Sequence, residues 1–385
     1  MSVKFPLLSL FLTVVSLALP VKAQTGPSDD ALPREILSGP FPTGHVQGVA
    51  VDRANGHVYY SYTTLLVKSD LQGHVIGTVK GLQGHLGCLE WNDQDSRLYG
   101  SLEYKDDAIG KGILSSLDSK KQFSNGFYVA IFDGAKIDRM DMDAETDGVM
   151  TAVFLPTVLK DYSSFVQTLE GVKEHRLGCS GIDGITFGPS LDGKKKGLFL
   201  TVSYGIYADK ERSDNDYQVL LQYDTRNWSR YERPLSQDDM HQKGPKSPSG
   251  IYYAFTGNTT YGVQNLEYDA SSNLWFMAVY AGVKPQYPNY LLFAVDGNIP
   301  SKAQKLKGVP YISKGQVLTL STLGENAGSP EVSGWNFPYG STGLHALGGG
   351  LFYVSENYST AAGQGTLLRL YRFTGKASEA FLRVE

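Results

Sequence analysis

Two histidines stand at matched points of the chain. His45 lies three residues ahead of Gly48 and His85 three residues ahead of Cys88, where two similar β-rich segments begin. An imidazole exchanges protons near neutral pH, so two of them entering neighbouring strands at one height supply an acid and a base. When the Leu-Gly-Cys triplets are aligned, Arg176 takes the place of His85 in a third copy, with His175 beside it. When that copy is set by Gly184 instead, the place falls to Gly181. The first alignment adds a guanidinium fork suited to a carboxylate. A histidine at a strand end also reads as a hydrogen-bonded structural residue.

Further groups have suitable chemistry. Tyr204 and Tyr207 end a strand in Ser203-Tyr204-Gly205-Ile206-Tyr207 and could pass a proton to a leaving oxygen or stack on a sugar. With 24 tyrosines in the chain, packing is the default for any one of them. Gln264 and Asn265 offer amides to hydroxyls, and His345, inside its strand, either faces a channel or packs. Asp143 to Gly148 opens with the spacing of a calcium loop, but its twelfth position is Phe154 where a bidentate carboxylate is needed, so the segment reads as a solvated turn. There is no Gly-Xaa-Ser-Xaa-Gly elbow, no His-Glu-Xaa-Xaa-His and no phosphate loop, which argues against a serine hydrolase, a zinc protease and a nucleotide enzyme.

The elements that must position these groups repeat. Five segments carry a short β-rich strand, a turn of Asp, Asn, Ser or Gly, and a second strand, beginning at Gly48, Cys88, Gly184, Asn265 and Gly343. Further strand-like sequence follows each, and two strand pairs make a four-stranded blade, so the chain is expected to be an all-β, single-domain β-propeller with its chemistry around a central channel. Glu35-Ile36-Leu37, ahead of the first copy, is expected to close the ring by joining the last blade. The later copies recur at nearly twice the interval of a minimal blade, which leaves either long loops or hidden blades. Asp106 to Gln122 and Ser236 to Gly257 read as loops that wall a pocket.

The 385 residues are 41% hydrophobic, enough for a large core. Residues 1–23 have the charged, apolar and small-residue layout of a cleaved secretory signal, leaving 24–385 as a secreted propeller domain. A net charge of −4 without basic runs excludes a nucleic-acid partner, and no segment is long enough to span a membrane. The chain is expected to act as a monomer. Asn227, Asn258 and Asn357 head glycosylation sequons. Cys88 and Cys179, the only cysteines, form either a disulfide or two buried thiols.

Gly44-His45-Val46-Gln47-Gly48, Gly84-His85-Leu86-Gly87-Cys88, Ser101-Leu102-Glu103-Tyr104-Lys105, His175-Arg176-Leu177-Gly178-Cys179-Ser180-Gly181-Ile182-Asp183-Gly184 and Tyr261-Gly262-Val263-Gln264-Asn265 together make the chain resemble the secreted seven-bladed propellers that remove terminal L-rhamnose from glucuronate in gum arabic and related arabinogalactans. That group holds polysaccharide lyases, which break the bond by β-elimination, and exo-α-L-rhamnosidases, which hydrolyse it. The resemblance implies seven blades and a uronate-containing polysaccharide as substrate. For the lyase it implies His85 as proton carrier, Arg176 as carboxylate neutraliser and Tyr204 or Tyr207 as second proton carrier. For the hydrolase it implies His45. His175, Gln264, Asn265 and His345 are the expected sugar contacts. A channel cation, calcium held by main-chain oxygens, is a further implication, with no organic cofactor. A propeller that binds glycan without turnover is the reading from a different class.

Overall fold

Each of the five copies folds as two adjacent antiparallel strands because β-branched and aromatic residues crowd them, and successive side chains of a strand point to opposite faces. In the first copy Val49 pairs with Tyr60 and Val51 with Val58 across the turn at Asp52 to His57. The computed structural model describes Met1 and residues 31–327 and 331–385; apart from Met1, the expected signal segment lies outside the described residues.

Five sheets result. Blade one runs through Gly48–Asp52, His57–Tyr62, Leu65–Asp70 and Val75–Lys80. Blade two runs through His85–Asn92, Arg97–Tyr104, Gly126–Phe132 and Met150–Phe154. Blade three holds Cys179–Gly188, Phe199–Ile206, Tyr217–Tyr223 and Gly250–Phe255, and adds the parallel strand Gly315–Leu318 at its edge. Blade four is three-stranded, Thr260–Asp269, Leu274–Tyr280 and Leu292–Asp296, its edge bridged by Trp335 and Leu320. Blade five holds Leu344–Gly348, Leu351–Thr360 and Gly363–Lys376.

The first strands of the five blades neighbour one another in a closed circuit, blade five returning to blade one. The propeller is therefore five-bladed. The five copies visible in the sequence are all the blades there are among the described residues, with no hidden ones, and the seven blades implied by resemblance are corrected. The doubled intervals are insertions: a short helix Pro156–Tyr162 and the hairpin Phe165–Thr168 with Gly171–Glu174 lie between blades two and three. The ring is sealed as expected, since Glu35–Phe41 pairs antiparallel with Gly363–Lys376, Ile36 opposite Leu368.

Both faces of every blade must be apolar, because each is pressed between two others. Within His57–Tyr62, Val58, Tyr60 and Tyr62 pack toward blade five while Tyr59 packs toward blade two, stacked 5.5 Å from the ring of Trp91. Five apolar clusters fill the five interfaces among the described residues. Each large side chain fully buried in them contributes roughly 1.5–3 kcal/mol. The first strands approach so closely that a Cβ on Gly48 would lie 2.7 Å from the Cα of Cys88, which is why glycine opens that copy.

The two expected pocket walls are only partly loops. Asp106 to Gln122 carries helix α1 (Ala108–Ser116), whose N-terminus is capped by the Asp107 carboxylate accepting from Gly110 N–H at 2.9 Å. Ser236 to Gly257 is irregular until the strand Gly250–Phe255. Cys88 and Cys179 are free and buried, their thiols directed at the carbonyls of Ile185 and Gly181, which corrects the disulfide reading in favour of the thiol one. Burial pushes the Cys88 thiol up to about 12. Asn258 is buried with its side-chain oxygen accepting from Val283 N–H, so its sequon is unavailable, while Asn227 and Asn357 are exposed. The turn after Asp143 is folded on its own carboxylate, which accepts from the N–H groups of Glu145 and Thr146. Among the described residues no helix is long and apolar enough to cross a membrane.

Candidate functional site

At one mouth of the channel a pocket of about 400 Å³ is lined by residues from four blades and by α1. This is within the usual range of small-molecule sites, roughly 300–1,000 Å³. Blade two contributes His85, Glu103 and Lys105; blade three contributes Asp183 and Ser180; blade four contributes Gln264 and Tyr261; the segment leading into blade one contributes His45 and Gln47. Ile109 and Ile113 of α1 form the apolar wall.

The centre of the pocket is a packed set of ionisable groups. His85 Nδ1 lies 3.4 Å from Asp183 Oδ1 and 3.7 Å from Glu103 Oε1, and it has no hydrogen-bond partner. Lys105 Nζ sits 2.5 Å from Glu103 Oε1 and donates to the Ser180 carbonyl at 2.7 Å, with Asp107 at 3.7 Å. The other oxygen of Glu103 accepts from Ile182 N–H at 2.9 Å, and Gln264 donates to Asp183 Oδ2 at 3.1 Å. Gln47 Nε2 reaches His45 Nε2 at 3.2 Å.

These surroundings set the protonation states. Burial, then the charges of Lys105 and His45, push the His85 imidazole down to about 3, so it is neutral at ordinary pH. Burial, reinforced by the charge of Glu103, holds the Asp183 carboxyl well above the usual range, so it keeps its proton. Burial raises Glu103 as well, but contact with Lys105 opposes it, and the Lys105 ammonium is held protonated by Glu103 and Asp107 against its own burial. The site thus holds a neutral base beside a protonated acid, next to a buried ion pair.

Local irregularities aim these groups. The first strands of blades two, three and four are bulged near the pocket, between Leu86 and Leu89, between Cys179 and Gly181 and again before Ile185, and between Thr260 and Asn265. A bulge re-aims the side chains that follow it. Gly181, at φ +128°, leaves room for Glu103: a Cβ there would fall 1.9 Å from Glu103 Oε2. The alignment set by Gly184 is the structural one, since Ser203 donates to the Gly184 carbonyl as Ser61 does to that of Gly48.

The structure therefore brings together His45, His85 and Gln264 and separates the rest of the expected set. Arg176 lies in a turn after the inserted hairpin, its Nε 3.6 Å from Asp161 and its guanidinium 5.0 Å over Tyr311, and it does not line the pocket. Tyr204 is fully buried and donates to Asp161 Oδ2 at 2.9 Å. Tyr207 donates to Asp107 at 2.7 Å, behind Lys105. His175 Nδ1 donates to the Tyr162 carbonyl at 2.6 Å, its ring packed between Tyr162 and Tyr207. Asn265 ties the carbonyls of Gln47 and Ser341 together across blades. His345 lies deeper in the ring, 3.8 Å from both Glu90 and Glu267. Sequence reasoning missed Glu103, Lys105 and Asp183, although all three stand in motifs already noted; an Asp in Gly-Ile-Asp-Gly and a Glu-Tyr-Lys triplet read as solvated residues until the strands are paired.

No family model matches the chain, and no curated protein matches it. Solved structures with some likeness include the gluconolactonase XC5397 from Xanthomonas campestris, 9% identical over 86% of this chain and 87% of that one, TM-score 0.31. The holo PQQ domain of a pyranose dehydrogenase from Coprinopsis cinerea is 11% identical over 84% and 81%, TM-score 0.34. The Dos1 propeller is 12% identical over 88% and 80%, TM-score 0.27. The fold rests on the blades themselves, and the function on the pocket.

Proposed function

We propose that this chain is a polysaccharide lyase that removes the sugar capping a glucuronate chain end by β-elimination, with rhamnose as the cap suggested by the sequence resemblance. The observation that carries the reading is the unpartnered Nδ1 of His85 lying 3.4 Å from the carboxyl of Asp183. In a glucuronate the C5 hydrogen and the O4 substituent lie on one face of the ring, so elimination needs its base and its acid side by side. His85 takes the C5 proton, the electron pair forms the C4–C5 double bond, the C4–O4 bond breaks, and Asp183 delivers its proton to O4. The proton on His85 then returns to Asp183, which resets the site. The carboxylate that acidifies C5 is met by Lys105 and the amides of Gln47 and Gln264, in the place first given to Arg176. Its negative charge, arriving in a buried pocket, raises the basicity of His85.

Hydrolysis is the second reading, favoured by the two carboxyls, Glu103 and Asp183, that line one pocket, Glu103 paired with Lys105. Digestion of gum arabic in heavy-oxygen water separates the two. Elimination yields an unsaturated uronate chromophore and released sugar without solvent oxygen. Released sugar carrying the label, with no chromophore, would overturn the lyase in favour of the hydrolase. No release from any glycan whose terminal sugar caps a glucuronate would overturn both and leave a binding propeller.

A further inference from the structure

Below the pocket, three further ionisable groups meet in the channel. Glu90 belongs to the first strand of blade two, Glu267 to that of blade four and His345 to that of blade five. One donor atom from each lies within 4.8 Å of the other two. All three residues are more than nine-tenths buried, at 7%, 3% and 6% exposure. Each also keeps one polar atom without a partner: Glu90 Oε2, Glu267 Oε2 and His345 Nδ1. The remaining oxygens are anchored by the neighbouring blades, Glu90 Oε1 by Phe187 N–H at 3.5 Å and Glu267 Oε1 by Ala346 N–H at 3.0 Å.

Burying a polar atom without a partner is costly, so His345 Nδ1 and Glu90 Oε2, two such atoms 3.8 Å apart, with Glu267 Oε1 3.8 Å from the same nitrogen, are unlike the rest of a packed ring. Two carboxylates and an imidazole held by main-chain contacts have the form of a ligand set with its supporting shell already in place. Donors within 4.8 Å of one another, with His345 Nδ1 3.8 Å from an oxygen of each carboxylate, surround a point no more than roughly 2.8 Å from each, a small contraction away from ordinary metal–ligand lengths.

We propose that Glu90, Glu267 and His345 bind one first-row divalent cation, Zn²⁺ or Mn²⁺, at the waist of the channel. The nitrogen donor and the small number of oxygens suit these ions; calcium takes six to eight oxygens, so this trio departs from the calcium implied by the sequence resemblance. The ion's task is to staple the ring rather than to act on substrate. Glu90 is five residues beyond His85 on one strand, roughly 15 Å at strand rise. The three ligands come from blades two, four and five, so one ion ties together strands that no single sheet connects.

The test uses the whole chain, dialysed against a chelator and then titrated separately with Zn²⁺, Mn²⁺ and Ca²⁺ by calorimetry, with melting temperature as a second reading. The expected result is one Zn²⁺ or Mn²⁺ per chain, a melting temperature that rises on loading, and at least a hundredfold weaker binding in Glu267→Gln. His345→Gln serves as the second variant should Glu267→Gln fail to fold, and titration of the unsubstituted chain needs neither. Absence of Zn²⁺ and Mn²⁺ binding would overturn the proposal and leave two carboxyls sharing a proton. Binding of Ca²⁺ alone, or binding unchanged in both variants, would overturn it equally.

Discussion

Replacing Lys105 with methionine tests the ion pair at the centre of the pocket. Its Nζ is 2.5 Å from Glu103, and the two side chains are only 4% and 3% exposed. Removing one member of so buried a pair leaves the other charge without compensation, which costs about 3–5 kcal/mol. Glu103 then takes up a proton, because burial already pushes its carboxyl upward and Lys105 is the main group holding it down. Lys105→Met should therefore lose about 3–5 kcal/mol in urea unfolding near neutral pH, and part of that loss should return at pH 5, where protonating Glu103 is easier. The double variant Lys105→Met with Glu103→Gln, which buries no charge at this position, should recover most of it. A complete double-mutant cycle measured by denaturant unfolding yields the coupling directly. A loss below about 1 kcal/mol in the single variant, or a double variant no more stable than the single, would refute the reasoning that a desolvated pair organises the site.

Asp183→Asn keeps the shape but removes the proton, and should lower kcat by about 10²- to 10⁴-fold on a cleaved glycan, whereas Arg176→Ala should leave kcat within a few-fold; equal losses would return Arg176 to the mechanism. His85 is neutral in the fold and titrates near 6.5 when unfolded, so between about pH 6.5 and 3 only the unfolded chain binds this proton, and stability falls as pH drops through that window. The contribution is up to about 4–5 kcal/mol. Lys105, His45 and Asp107 face this imidazole, and comparison with His85→Gln isolates its share as a flatter acid limb in chemical unfolding. Gly181→Ala puts a Cβ against Glu103 at a left-handed φ and should cost about 1–3 kcal/mol or more, seen as a lower urea midpoint, while an unchanged midpoint would show that Glu103 has room to move.

The five strand-turn-strand copies, the closing strand at Glu35 and the special standing of His85 can all be read along the chain. They depend on β-rich runs and turn residues, which are local properties. The repetition carries five copies, but only the closed ring showed that their wide intervals hold insertions rather than hidden blades, and the resemblance misled because matching short motifs says nothing about how many blades separate them. Only the folded ring decided which polar groups meet. Bulges in three first strands break the alternation that would otherwise tell inward from outward, so Asp183 and Gln264 turn into the pocket while Asn265 turns to neighbouring carbonyls. Arg176 left the site because an inserted hairpin and a left-handed turn intervene before its strand begins. Along the chain, Glu103 with Lys105, and Glu90 with Glu267 and His345, read as ordinary solvated residues. Their burial exists only once blades far apart in the chain close on one axis and remove water from between them.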